Sequence, residues 1–164
     1  MFRFAAAAAA ASLDFAGPAL AQAVPEGGLT AAEIHAWLVA QGLDAEISAG
    51  EQPMVSSGAN GVSWDVVGFD CEAGRCGSWQ FSAGFLMDSI DPEAISNWNR
   101  DRRFLKAFAF GHDEGAAAVA QYDVLIVPGM TYEGLTEHLI LFATFAPEFG
   151  RSLGWTPETT PPAQ

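Results

Sequence analysis

Two consecutive segments decide the fold. The first is Trp64-Asp-Val-Val-Gly-Phe-Asp-Cys71-Glu-Ala-Gly-Arg-Cys76-Gly-Ser-Trp79-Gln-Phe-Ser-Ala-Gly-Phe85, and the second is Asp91-Pro-Glu-Ala-Ile-Ser-Asn97-Trp-Asn-Arg-Asp-Arg-Arg-Phe104. The first reads as a β-hairpin. If Cys71 and Cys76 stand opposite each other, Glu72 to Arg75 form a four-residue turn containing glycine, an ordinary hairpin connection. Gly68 then faces Trp79, Val66 faces Phe81, Trp64 faces Ala83 and Val62 faces Phe85. All fall on one side of the sheet, because side chains alternate with period two. A slip of one residue would send one strand's apolar row to the other face. The apolar pattern and the cysteine pair thus select the same register independently. Trp79 opposite Gly68 fits it too, since glycine leaves room for a ring.

The opposite face carries Asp65, Phe69, Cys71, Cys76, Ser78, Gln80 and Ser82. It is mostly polar, so the cysteine pair is predicted on the wetter side. In an oxidising compartment Cys71 and Cys76 are expected to form a disulfide. The closed loop is short, and the crosslink would contribute at or below the low end of ~2–4 kcal/mol. A zinc site wants four ligands, and there is only this one cysteine pair. A thioredoxin-like dithiol would be spaced C-x-x-C.

The compartment is suggested by the N-terminus. Met1-Phe-Arg-Phe is followed by an alanine run and by small residues at Ala21 and Ala23, the pattern of a secretory signal peptide over residues 1–23. Cleavage after Ala23 would leave Val24-Pro25-Glu26 as the new start, and export would make the protein periplasmic or secreted. Asp14 interrupts the apolar region, and an Ala-rich extension is the competing reading. The run is too short and too interrupted for a membrane span. The leader carries Arg3 and Asp14, so its loss leaves the net charge at −13. Such a chain repels nucleic acid and anionic lipid surfaces. Four of the six remaining basic residues are Arg100, Arg102, Arg103 and Lys106, so positive charge is concentrated in one place.

The rest of the chain reads as a single domain of alternating helices and hairpins. Residues 24–29 look like a Pro/Gly linker. Thr30 and Glu33 form a capping box for a helix that ends near Gln41 before Gly42. Short strands are expected at 44–48 and near Met54–Val55, then the hairpin strands at 61–71 and 76–86. Asp91-Pro92-Glu93 starts a second helix. Its apolar face is thin, chiefly Ile95 and Trp98, and its end holds Arg100, Arg102 and Arg103, which complement the helix dipole. Phe104, Phe108 and Phe110 alternate with smaller residues as a strand. After a turn at 111–115, residues 116–127 return with Ala118, Ala120, Tyr122, Val124 and Ile126 on one face. Thr131 caps a last helix with Leu135, Leu139, Phe142, Phe145 and Phe149 at helical spacing. Residues 156–164 are Pro/Thr-rich and expected to be disordered. The prediction is one α+β domain over 30–155, an antiparallel sheet backed by helices in the order α-β-β-β-α-β-β-α.

The hairpin segment, Ile95-Ser-Asn-Trp-Asn-Arg-Asp-Arg-Arg-Phe104, Tyr122-Asp-Val-Leu-Ile-Val-Pro-Gly-Met-Thr131 and the last helix together resemble the YbjN family, a bacterial family described in terms of sensory transduction regulation. The likeness spans about residues 30–150, and Asn97 to Phe104 is its most specific part. It implies a fold like the type III secretion chaperones, often dimeric, and it carries no catalytic residues that could be transferred. The export signal and the cysteine hairpin depart from the family's cytoplasmic members.

No catalytic constellation stands out: there is no G-x-S-x-G, H-E-x-x-H, Walker loop or G-x-G-x-x-G. His35, His112 and His138 lie in three different elements, and His112-Asp113-Glu114 reads as a solvated turn. No metal or cofactor is expected. Asn97 and Asn99 flank Trp98 on a helix that asparagine disfavours. They either tie the helix to neighbouring backbone or bind a partner. Trp64, Trp79 and Trp98 are expected in the core. The candidate partner-binding group is Asn97, Trp98, Asn99, Arg100, Arg102 and Arg103, for an unidentified protein partner or a second copy of the chain. Two function classes follow. The first is a non-enzymatic protein-binding module, chaperone-like or regulatory. The second is a small-ligand binder or enzyme using a cleft beside the Asn97–Arg103 helix. An exposed apolar strip beside the arginines would favour the first, a deep enclosed pocket the second.

Overall fold

The structure, a computed structural model, describes residues 22–112 and 115–156. The proposed leader up to residue 21 and the Pro/Thr-rich end from residue 157 lie outside the described residues. The elements are α1 (Ala31–Ala40), β1 (Ala45–Ile47), β2 (Met54–Ala59), β3 (Val62–Glu72), β4 (Arg75–Met87), α2 (Pro92–Asp101), β5 (Lys106–His112), β6 (Gly115–Leu125) and α3 (Tyr132–Ser152). The six strands form one antiparallel sheet in the order β1-β2-β3-β4-β6-β5. The α+β architecture is as expected; both short segments suggested ahead of the central hairpin are strands, so four rather than the three of the expected order precede α2. Residues 54–59 make a full strand because Asn60 (φ 54°) and Gly61 (φ 78°) close a two-residue hairpin loop between Ala59 and Val62. Both residues of such a loop need positive φ, which Asn-Gly supplies.

The central hairpin holds the expected register: Val66 pairs with Phe81, Gly68 with Trp79 and Cys71 with Cys76. Its loop is two residues rather than four, since Glu72 still pairs with Arg75 while Ala73 (φ 50°) and Gly74 (φ 81°) turn the chain. A Cβ on Gly68 would lie 3.1 Å from Trp79 Cη2 and 2.6 Å from Cys76 Sγ. The glycine therefore makes room for both the ring and the sulfur.

That contact corrects one expectation. Cys71 is exposed, but Cys76 is wholly buried, so the bridge does not sit on the wetter face. Asp70 takes a left-handed conformation (φ 52°) and drops out of the ladder, which breaks the alternation of side chains just before Cys71. Residues 24–29, expected as a linker, cover the other side. Leu29 is wholly buried and exchanges both backbone hydrogen bonds with Cys76, donating to its carbonyl (3.2 Å) and accepting from its N–H (2.8 Å). The strand-to-strand approach requires Gly28, whose Cβ would fall 2.1 Å from Cys76 O and whose φ is 96°.

One face of the sheet and all three helices share a single core. α1 contributes Ile34, Trp37 and Leu38, and α2 contributes Ile95 and Trp98. α3 contributes Leu135, Leu139, Phe142, Ala146 and Phe149. Trp64, Phe81 and Phe142 meet at ring separations of 5.3–6.0 Å, and Phe149 lies 5.5 Å from Phe85 and 5.1 Å from Trp98. Each fully buried phenylalanine contributes about 1.5–3 kcal/mol. The three tryptophans of the opening stretch are thus core residues, as expected.

Candidate functional site

The predicted partner-binding residues lie on α2 and its exit into β5. Asp91 caps α2 by accepting the Glu93 N–H at 2.9 Å, and Pro92 occupies the first turn. Only Ile95 and Trp98 reach the core. The helix ends at Arg102, whose N–H donates to Trp98 O, and Leu105 turns the chain with φ 59° into β5.

Asn99 has a definite structural task. Its Nδ2 donates to Ala107 O at 2.8 Å, and its Oδ1 accepts from Ala107 N–H at 2.9 Å. The side-chain amide therefore substitutes for one residue of a neighbouring strand at the outer edge of β5. Asn97 is half-buried in a shallow depression of about 410 Å³ lined also by Ala94, Trp98, Asp101, Arg102 and Ser152.

The three arginines have different neighbours. Arg100 makes a bidentate pair with Asp101 at 2.8 and 2.9 Å on the exposed surface. The hydrogen bond to Asp101, more than its charge, raises the Arg100 pKa, and the same bond lowers that of Asp101. Arg102 pairs with Glu148 of α3 and lies 5.4 Å from the centre of the Trp98 ring, a cation–π arrangement. Arg103 stacks over Phe104 at 5.7 Å and makes no carboxylate pair among the described residues. Spacing along α2 could not reveal the Glu148 pairing, which joins residues far apart in the chain.

Among the described residues, the edge of β5 beyond Ala107 is uncovered, and the outer sheet face beside it is apolar. Leu86, Ala117 and Phe110 form one cross-strand row, and Gly84, Val119 and Phe108 form the next. Leu86 is 71% exposed, Phe110 52% and Phe108 39%, and the two phenylalanine rings stack at 6.5 Å. By alternation from Ala107, the N–H and C=O of Ala109 and Gly111 point away from β6. Elsewhere on this face a broad solvent-open trough of about 730 Å³ is polar, with Ser56 donating to Asp65 at 2.6 Å.

A second polar focus, missed in the sequence, joins the hairpin tip to α1. Arg75 forks onto Glu33 at 2.9 and 3.0 Å and also donates to Gly28 O at 2.6 Å. Glu33 simultaneously accepts from the Thr30 N–H and hydroxyl. Burial pushes the Glu33 pKa up, but the hydrogen bonds from Arg75 and Thr30 outweigh it and hold the carboxyl below its usual range. The available clue was a lone arginine in the turn of an acidic chain.

The histidines are dispersed. His138 Nδ1 meets the Tyr122 hydroxyl at 2.8 Å, and burial raises the Tyr122 pKa. His35 is half-buried on α1. The His112 side chain and residues 113–114 lie outside the described residues. Among the described residues no three His, Cys, Asp or Glu side chains converge as a metal site, and no helix is long and apolar enough to cross a membrane.

The described residues form one antiparallel sheet with a helix-covered face and an edge at β5. The family model described as "YbjN: Putative bacterial sensory transduction regulator" matches residues 30–155. The chain belongs to the YbjN family. That description is of a regulator rather than an enzyme. Among solved structures, the chain is similar to the "Crystal structure of YbjN, a putative transcription regulator from E. coli", with 18% identity, 76% of this chain and 86% of that one covered, and a TM-score of 0.46. No curated protein matches the sequence.

Proposed function

We propose that the protein is exported and acts without catalysis, binding a protein partner through the β5 edge and the apolar strip of Leu86, Phe108 and Phe110. The strip carries the reading: three large apolar side chains lie exposed together beside strand backbone that has no partner among the described residues. Such an edge accepts an extended segment by strand addition, with main-chain hydrogen bonds supplying affinity and side chains supplying selectivity. Asn99 and Trp98 position the edge and the helix, and Arg102 braces α2 against α3. Arg100 and Arg103 remain at the surface, where they can meet carboxylates of the partner. The Cys71–Cys76 disulfide supports an oxidising compartment.

The test is capture from periplasmic extract with the wild-type domain and with a Phe108→Ser/Phe110→Ser variant. A band bound by wild type and lost from the folded variant supports the reading, and equal capture by both would sink it. Arg100→Gln/Arg103→Gln should weaken capture and reduce its salt dependence. Light scattering of the purified protein distinguishes a foreign partner from a second copy bound at the same edge.

A further inference from the structure

We propose that Cys71 is a site of thiol–disulfide exchange: an external thiolate attacks its sulfur, and Cys76 is the resolving cysteine that restores the bridge. The bridge joins two residues that stand directly opposite each other but have unlike surroundings. Cys71 is exposed, and so are Phe69, Asp70 and the turn residues Glu72, Ala73 and Gly74. Cys76 is wholly buried.

The two sides of the hairpin tip are also held differently. Leu29, itself wholly buried, exchanges both backbone hydrogen bonds with Cys76, at 2.8 and 3.2 Å. Gly68 packs so close to the Cys76 sulfur that a Cβ there would fall 2.6 Å from Sγ. Arg75, the preceding residue, forks onto Glu33 and donates to Gly28 O, which ties this side of the turn to α1 and to the segment before it. The Cys71 side is looser. Asp70 drops out of the ladder with φ 52°, and Ala73 turns the chain with φ 50°. When the bridge opens, Cys71 is therefore the partner free to move, and Cys76 stays where it is.

Access decides which sulfur of a disulfide an external thiolate strikes. Cys76 offers solvent no approach, so exchange starts at Cys71. The thiolate sulfur bonds to Cys71 Sγ and the Cys71–Cys76 bond breaks. Its electron pair leaves on Cys76 Sγ, which takes a proton from water. The incoming sulfur is oxidised to the disulfide level, and Cys76 is reduced to a thiol. The reverse step restores the bridge: Cys76 gives up its proton and attacks Cys71 Sγ, and the external thiolate departs with the electron pair of the bond it loses. Because Leu29 pins Cys76, the resolving sulfur stays beside the hairpin tip and the domain keeps its fold while Cys71 carries the external thiol.

Glutathione serves as the probe. Cys76→Ala leaves the exposed thiol alone, and oxidised glutathione should convert the folded variant to a mixed disulfide on Cys71, read by intact mass. Cys71→Ala leaves the buried thiol, which should react at least ~100-fold more slowly, because reaction there waits on a local opening, and should lose that protection in urea. The wild type supplies a second measurement that needs no variant to fold. After reduction, with the fold checked by circular dichroism, a brief pulse of iodoacetamide should label Cys71 well before Cys76. Trypsin cuts after Arg75, between the two cysteines, so each is read on its own peptide. Equal labelling of the two in the folded protein, or faster labelling of Cys76, overturns the assignment. Collapse of the fold on reduction, or a glutathione adduct on folded Cys71→Ala but not on folded Cys76→Ala, overturns it as well.

Discussion

Replacing Asn99 by alanine tests whether the most specific segment of the chain is structural or a contact surface. The side chain makes two hydrogen bonds to Ala107, at 2.8 and 2.9 Å, and Ala107 is only 4% exposed. Each bond contributes about 0.5–1.5 kcal/mol net, and a buried group left without a partner costs about 1–3 kcal/mol. Alanine returns roughly 0.6 kcal/mol through its better helix propensity. The net loss should be about 1.5–2.5 kcal/mol, roughly a ten- to sixty-fold change in the folding equilibrium at about 1.4 kcal/mol per tenfold. Urea unfolding followed by tryptophan fluorescence reads this as a lower midpoint at unchanged slope. Asn97→Ala is the control. Its side chain makes no hydrogen bond among the described residues, so stability should hold or rise by about the propensity difference. Asn99→Asp keeps the acceptor for the Ala107 N–H but loses the donor, and should fall between. If Asn99→Ala unfolds within about 0.5 kcal/mol of wild type, the spread of ordinary surface substitutions, the clamp contributes nothing and the reasoning fails. Loss of partner capture at unchanged stability would instead make Asn99 a contact residue.

The Cys71–Cys76 bridge should show as an intact mass without free thiols before reduction, and reduction should lower stability by about 2 kcal/mol or less because the loop is short. Two freely alkylated thiols in the exported protein would contradict it. Glu33 is held below its usual range when folded, so its pairing with Arg75 stabilises above the ordinary value of 4.5 and the contribution fades as pH falls through the lowered folded value. Glu33→Gln should therefore melt below wild type at pH 7, and the gap should narrow in acid; a gap constant with pH would contradict the pairing. Gly28→Ala would force a Cβ to 2.1 Å from Cys76 O at φ 96°, and should cost ~3 kcal/mol or more, visible as a large drop in thermal midpoint. A variant that melts like wild type would show that residues 24–29 do not hold the position described.

The register of the central hairpin was legible because two independent rows, the cysteines and the Trp/Phe/Val positions, demanded the same alignment. Helix starts were legible because Thr30, Asp91 and Thr131 cap locally. The extent of β2 was not, since Met54–Ala59 is rich in serine and small residues, although Asn60-Gly61 marked its end. The burial of Cys76 could not be read from alternation, because the cover comes from Leu29 and the space from Gly68. For the candidate site, sequence could suggest that Asn97 and Asn99 needed an explanation, but Ala107 lies across a turn and carries no marking side chain. Phe108 and Phe110 read as an ordinary apolar strand row, and only the pairing of β5 with β6 shows that the row faces outward.

The strand order has a kinetic consequence. β1 to β4 are joined in sequence by short connections, and β5 with β6 forms another local hairpin, so most of the sheet can form by zipping between chain neighbours. Only the β4–β6 ladder joins the two halves, and its nearest pair, Met87 with Ala116, closes a loop containing α2 and β5. Closing that loop is the main entropic hurdle, and chains dominated by local pairing cross such hurdles quickly. Core substitutions at the β4–β6 seam, such as Ala120 or Val124, should therefore retard folding, whereas those at the hairpin tips should chiefly hasten unfolding.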